Sequence, residues 1–307
     1  MAPILLDTDI GTNVDDALAL ALLLGSPEVE LLAVTTVFGD TTVRARLARR
    51  LLGIAGRGAE VRVAAGAPAP LSGAAAWAGH EGALHEDLER EPVDPAPAVE
   101  VLVEAAGAHP GELAVLAVGP LTNIALALRA DPGFAHHVRR LVVMGGDVAD
   151  AGRQAERNFR SDAVAARDVL DSALDVTVVG QDVTSAVRWG SAEAERVGRS
   201  GPFGAVLRSE MEAYWRYRGE PWSHPHDALA ALGLVRPDLF TFARRAVRVE
   251  TAGADPGLVV DDDAARRRTV ARALDGPAAS AELLARVCRP AARERGADPQ
   301  RSEASSA

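Results

Sequence analysis

Four carboxylates fall within ten residues near the start of the chain: Asp7, Asp9, Asp15 and Asp16, in the segment DTDIGTNVDDALAL. Acids packed this densely repel one another unless a cation or bound protons compensate. Capping of a helix explains Asp15. It does not explain Asp7 and Asp9, which close the apolar run Pro3–Leu6; strand alternation predicts that these two share one side. Three chemistries compete for the cluster. An EF-hand loop needs an oxygen ligand at position five and a glutamate at position twelve. Counted from Asp7 these are Gly11 and Leu18, which excludes that loop. A D-x-D phosphohydrolase, with Asp7 as nucleophile and Asp9 as acid, fits the spacing but normally has Thr or Val at Gly11 and a later lysine, and this chain has no lysine. The third chemistry is a hard cation, held by carboxylates, that activates water and grips a sugar diol.

The elements that must position these residues alternate in type. Pro3–Leu6, Glu30–Val37, Val61–Ala64, Leu113–Val118, Leu141–Met144 and Val176–Val179 read as short buried strands. Amphipathic stretches from about Asp15 to Leu24 and from Thr41 to Leu52 read as helices, as does the segment Gly201–Arg236. Arg244–Glu250, Gly257–Asp261 and Arg268–Ala273 form a late set of strands. This rhythm predicts an α/β fold: one domain with a mostly parallel central sheet, helices on both faces and a Rossmann-like core. Ligands of such sheets bind at the carboxyl ends of the strands. Ala67–Pro97, rich in Ala, Gly, Pro and His, predicts a long loop or lid. The expected division is a catalytic domain over 1–290 and a polar tail over 291–307.

Composition narrows the function further. All 33 basic residues are arginine, so Schiff-base chemistry and a phosphate-loop lysine are excluded. The net charge of −10 argues against nucleic acid as a partner. No apolar run is long enough to span a membrane, and the start MAPILLDTD lacks the basic n-region of a secretory signal. The single cysteine, Cys288, permits no internal disulfide. A cytoplasmic setting is the expectation.

Five motifs in order, from Leu5 to Ala230, together resemble the nucleoside hydrolase family, of the inosine-uridine preferring N-ribohydrolase type. They are D-T-D-x-G with D-D-A-L-A-L, AVTTVFGD (Ala33–Asp40), AVGPLTNIALAL (Ala117–Leu128) with VVMGG (Val142–Gly146), AERN (Ala155–Asn158) and HDALA (His226–Ala230). The resemblance implies a nucleoside hydrolase fold, hydrolysis of ribonucleosides to free base and ribose for salvage or catabolism, and a homodimer or homotetramer. It implies a Ca2+ ion held by Asp9, Asp16, the main-chain carbonyl of Thr122 and Asp227, with Asp9 as general base. Asp15, Glu156 and Asn158 would bind sugar hydroxyls, and Met144 would border them. Asp40 stands where the family commonly places an asparagine on the sugar, His80 would close over the site, and His226 would protonate the departing base. Trp77, Tyr214, Tyr217 and Trp222 are candidates to stack on that base. Besides Asp40, three departures mark this chain: three residues, Thr12–Val14, separate Gly11 from the Asp pair, Asp150 falls where an asparagine is frequent, and Ala228 replaces a common proline after the His-Asp pair. Besides the phosphohydrolase, a catalytically silent nucleoside- or sugar-binding member is the remaining alternative.

Overall fold

In the computed structural model, which describes residues 1–73, 75–76, 79, 81–149 and 154–289, nine strands form one sheet. They are β1 Ala2–Thr8, β2 Val29–Thr36, β3 Arg62–Ala65, β4 Ala114–Ala117, β5 Arg140–Met144, β6 Val176–Val179, β7 Phe240–Val249, β8 Val259–Asp261 and β9 Arg267–Leu274. Their spatial order is β3-β2-β1-β4-β5-β6-β9-β7-β8. The strands from β3 to β6 pair in parallel, and β9 continues parallel to β6. β7 runs antiparallel to both β8 and β9. The parallel strands are short and almost wholly apolar because helices cover both faces.

Chain order reverses between β1 and β4, which lie side by side with β2 and β3 beyond one and β5 and β6 beyond the other. Loops leaving the carboxyl ends of two such strands diverge to opposite faces and open a crevice. The turns after β1 and β4 carry Asp9 and Gly119–Thr122, so topology alone brings the first and third motifs together.

The Asp15–Leu24 helix is buried along its full length, including both aspartates. Its sequence DDALALALLL is apolar all round after the first turn because helices His226–Val235 and Gly276–Val287 pack on it as well as the sheet. Gly25 ends it where a Cβ would sit 2.0 Å from the Arg286 carbonyl oxygen, so only glycine permits this approach. No helix among the described residues is long and apolar enough to cross a membrane.

The described residues of segment 66–97 run as the expected loop, with a short 3-10 turn at Leu88–Arg90 and a bridge between Ala64 and Asp94. His80, Trp77, Asp150 and the tail beyond 289 lie outside the described residues.

Candidate active site

A cavity of about 700 Å3 opens at the carboxyl ends of the central strands. Asp9, Asp15, Asp16, Met144, Glu156, Asn158, His226 and Asp227 all line it, drawn from five separate stretches of chain. Asp15 and Asp16 open the first turn of their helix, where the helix dipole favours negative charge. Val14 takes the N-cap position, so Asp15 is not the cap that its sequence context suggested. Asp227 occupies the first turn of the His226–Val235 helix and is likewise buried.

Carboxylate oxygens of Asp15, Asp16 and Asp227 all lie within 4.8 Å of one another. Burial raises all three pKa values, that of Asp15 to about 6; the charge of Asp9 raises each further, as do Asp15 for Asp16 and both Asp15 and Asp16 for Asp227. The Thr8 hydroxyl donates to Asp16 Oδ1, whereas buried Asp15 Oδ1 has no protein partner. Three buried hard oxygen donors with an orphaned lone pair among them suit a divalent cation. Asp9 shares the cavity, but its Oδ2 stands 3.4 Å from the Arg157 guanidinium.

Glu156 caps the short helix Arg157–Ser161, accepting from the amides of Asn158 (2.8 Å) and Phe159 (3.2 Å), and from that of Gly146 (3.0 Å). Burial nevertheless pushes its pKa up. The Asn158 amide donates to the carbonyls of Val118 (2.8 Å) and Met144 (3.1 Å), tying the ends of β4 and β5 together. His226 Nδ1 lies 2.7 Å from the Thr184 hydroxyl. Burial, aided by the neighbouring His224, lowers its pKa from 6.5 to about 3, so the ring is neutral at ordinary pH.

Several expected residues stand elsewhere. Asp40 is exposed and caps the Thr41–Ile54 helix, its carboxylate accepting from the Val43 amide at 2.9 Å; it is not among the residues lining the cavity. The Thr122 side chain is not part of the cavity wall either, and its hydroxyl donates to Asp162 Oδ2 at 2.7 Å. Asp7 does not share a side with Asp9, because β1 ends at Thr8 and strand alternation ends with it. Its Oδ1 accepts from Thr35 (2.6 Å) and Asn123 (2.7 Å), its Oδ2 has no partner, and burial pushes its pKa up to about 7. A nucleophile turned away from the cavity removes the basis of the phosphohydrolase alternative.

Beyond the expected residues, the cavity wall includes Arg157, Arg160, Gln181 and Arg218. Tyr214 and Tyr217, two of the four aromatic candidates, also line it; Trp222 does not, and packs instead edge-on to His224. Arg157 was within reach of sequence reasoning, since it sits between Glu156 and Asn158.

Fold and site together define a doubly wound α/β protein whose buried carboxylate cluster, able to hold a cation, faces a cavity at the carboxyl ends of the central strands. The chain belongs to the family described as inosine-uridine preferring nucleoside hydrolase, which matches residues 4–289. It is 34% identical over 282 residues to "Uridine nucleosidase 1" of Arabidopsis thaliana, covering 86% of this chain and 83% of that protein. It is 35% identical over 263 residues to "Non-specific ribonucleoside hydrolase RihC" of an Escherichia coli strain, covering 82% and 84%. Among solved structures it resembles a plant nucleoside hydrolase, with TM-score 0.84, 28% identity and coverage of 94% and 99%. A purine-preferring ribonucleoside hydrolase from Gardnerella vaginalis gives TM-score 0.82, 26% identity and the same coverage. The chain is therefore an enzyme that hydrolyses N-glycosyl bonds of ribonucleosides.

Proposed function

We propose that the enzyme is calcium-dependent, accepts uridine, and releases free base and ribose for salvage or catabolism. The observation that carries this reading is the buried triad Asp15, Asp16 and Asp227 in one cavity with Glu156 and Asn158. Asp16, Asp227, Asp9 and the Thr122 carbonyl would hold the ion, and Asp15, on the geometry, is close enough to share it. Calcium, when bound, would supply a positive charge that acidifies water and grips vicinal ribose hydroxyls.

The remaining chemistry belongs to the chain's own residues. Asp9 takes a proton from the attacking water. The oxocarbenium-like transition state is positive at the sugar ring, and the carboxylates lining the cavity stabilise it. Glu156 is already committed to three amides, so it offers the sugar only its remaining lone pairs; Asn158 is likewise held by two carbonyls. Both are therefore rigid before substrate arrives, which reduces the ordering cost of binding.

His226 acts as a neutral hydrogen-bond donor to the departing base rather than as a resident imidazolium. The Thr184 hydroxyl has the Gly180 carbonyl at 3.1 Å, the Gln181 carbonyl at 3.4 Å and His226 Nδ1 at 2.7 Å in reach; donation to Nδ1, the nearest, puts the ring proton on Nε2, the nitrogen left for the base. The relatives named for uridine and for ribonucleosides without specificity support uridine as substrate. The test is release of reducing sugar from uridine, cytidine, inosine and adenosine with and without a calcium chelator. Uridine turnover that chelator abolishes and calcium restores supports the reading; turnover untouched by chelator overturns it. Metal-dependent nucleoside binding without turnover would instead establish the silent member.

A further inference from the structure

Arg44 is fully buried, yet it touches none of the carboxylates that form the cavity floor. Its Nε donates to the Phe38 carbonyl at 2.7 Å, and its Nη1 to the Ile10 carbonyl at 2.8 Å, to the Thr12 hydroxyl at 3.2 Å and to the Asp9 carbonyl. Its Nη2 meets Glu81 Oε1 at 3.0 Å, in a pair whose side chains are 0% and 7% exposed. Glu81 also accepts from the Thr12 hydroxyl (2.7 Å) and the Gly79 amide (2.9 Å). One guanidinium thus grips the turn after β1, the turn after β2 and the 66–97 loop. Phe38 needs such a grip, since its φ of 66° lies in the left-handed region unusual for a phenylalanine.

The same loop is tied at further points, two of which bear on the cavity. Asp162 accepts from the amides of Leu71 (2.7 Å) and Ser72 (3.1 Å) as well as from Thr122. His85 Nε2 meets Glu210 Oε1 at 2.7 Å on the Pro202–Arg218 helix, which supplies Tyr214 and Arg218 to the cavity. The strap is therefore anchored to both stretches proposed to reach the ion through Asp9 and Thr122.

Resting on the calcium reading above, we propose that Arg44 and Glu81 are a positioning pair that sets the Asp9–Thr12 turn for cation binding and couples it to the strap. Neither residue would touch the ion. A planar, five-donor guanidinium can hold several carbonyls and a carboxylate in one fixed arrangement. Removing the Glu81 charge leaves Arg44 uncompensated in the interior, and its donors then compete for other acceptors at the Asp9–Thr12 turn.

The test titrates the full, metal-stripped chain with calcium chloride by calorimetry and follows amide exchange around Glu81. Loss of an outer-shell partner commonly weakens metal affinity about 10–100-fold, and that loss is expected for Glu81→Gln. Glu81→Asp, which keeps the charge, should recover part of it. Turnover of Glu81→Gln should return toward wild type as calcium is raised to saturation, separating positioning from damage to the chemistry. In wild type, calcium should slow exchange around Glu81; in Glu81→Gln it should not. Should Glu81→Gln fail to fold, Thr12→Val, which removes the hydroxyl shared by the pair, is read in the same way. A folded Glu81→Gln that binds calcium within about twofold of wild type overturns the pair's role. Wild type whose exchange around Glu81 ignores calcium overturns the coupling. Wild type that binds no calcium overturns both this inference and the reading beneath it.

Discussion

Replacing Asp227 by asparagine should destroy turnover yet stabilise the metal-free fold. Carboxylate oxygens of Asp227, Asp15 and Asp16 lie within 4.8 Å of each other. Two unit charges at about 4.8 Å repel by about 3.5 kcal/mol at an effective dielectric of about 20. Asp227 faces two such neighbours, but proton uptake relieves part of the repulsion, so about 3 kcal/mol is expected once the cluster is ionised. For a chain of 307 residues, an unfolding entropy of about 2.1 cal/mol/K per residue converts this to about 5 °C in Tm.

The sign with pH follows from the raised carboxylates. A folded pKa above the unfolded value means the folded state holds extra protons between the two, so stability is lost as pH rises through that window. Burial raises Asp7 from 3.8 to about 7 and Asp15 to about 6, and Asp16 and Asp227 rise with them. His226, lowered from 6.5 to about 3, acts oppositely, but only below pH 6.5. Above pH 6.5 the histidine no longer contributes, and what remains of the pH dependence comes from the raised carboxylates. Melting curves in chelator should show Asp227→Asn above wild type by a margin that grows as pH rises, because wild type must ionise a carboxyl that burial and its acidic neighbours hold well above the usual carboxylate range. Added calcium should reverse the order, because only wild type binds it tightly. A variant that melts at or below wild type in chelator at pH 8.5 would refute the reasoning.

Three further outcomes are expected. His226→Ala should slow uridine hydrolysis roughly 10²-fold or more and nitrophenyl riboside hydrolysis far less, because a good leaving group needs no donor; equal losses on both substrates, read as kcat ratios, would remove the donor role. Gly119→Ala would place a Cβ 2.8 Å from Val37 Cγ1 and 3.1 Å from Asp9 Oδ1, so kcat should fall more than KM rises, and wild-type kinetics would show that Asp9 tolerates displacement. Gly25→Ala, whose Cβ would meet the Arg286 carbonyl at 2.0 Å, should cost about 2 kcal/mol or more of stability while leaving the ratio of activities on different bases unchanged, measured by denaturant titration and parallel turnover assays.

Much of the fold is legible because each parallel strand is a short apolar run, although the Asp15–Leu24 helix, expected to be amphipathic, is buried on every side. Val176–Val179 ends where it is expected to, and the late strands differ from expectation mainly in length. The Asp cluster is legible because acids at the end of an apolar strand have few bland explanations. What escaped the sequence is contact between distant residues. Arg44 and Glu81 are 37 positions apart, and nothing in the run TTVRARLARR separates fully buried Arg44 from its half-buried neighbours Arg46, Arg49 and Arg50. Asp7 and Asp9 were paired by an alternation that assumes the strand continues, and it stops between them. Asp40 carries a role that its motif does not suggest: one carboxylate oxygen caps the Thr41–Ile54 helix.

The most direct test of the central claim titrates the metal-free enzyme with calcium while recording uridine hydrolysis. A carboxylate cradle built from Asp16, Asp227 and their neighbours predicts no turnover in chelator, a linear rise with added calcium, and a plateau at one ion per chain. Turnover that is already maximal in chelator, or a plateau reached without any bound calcium, would contradict it.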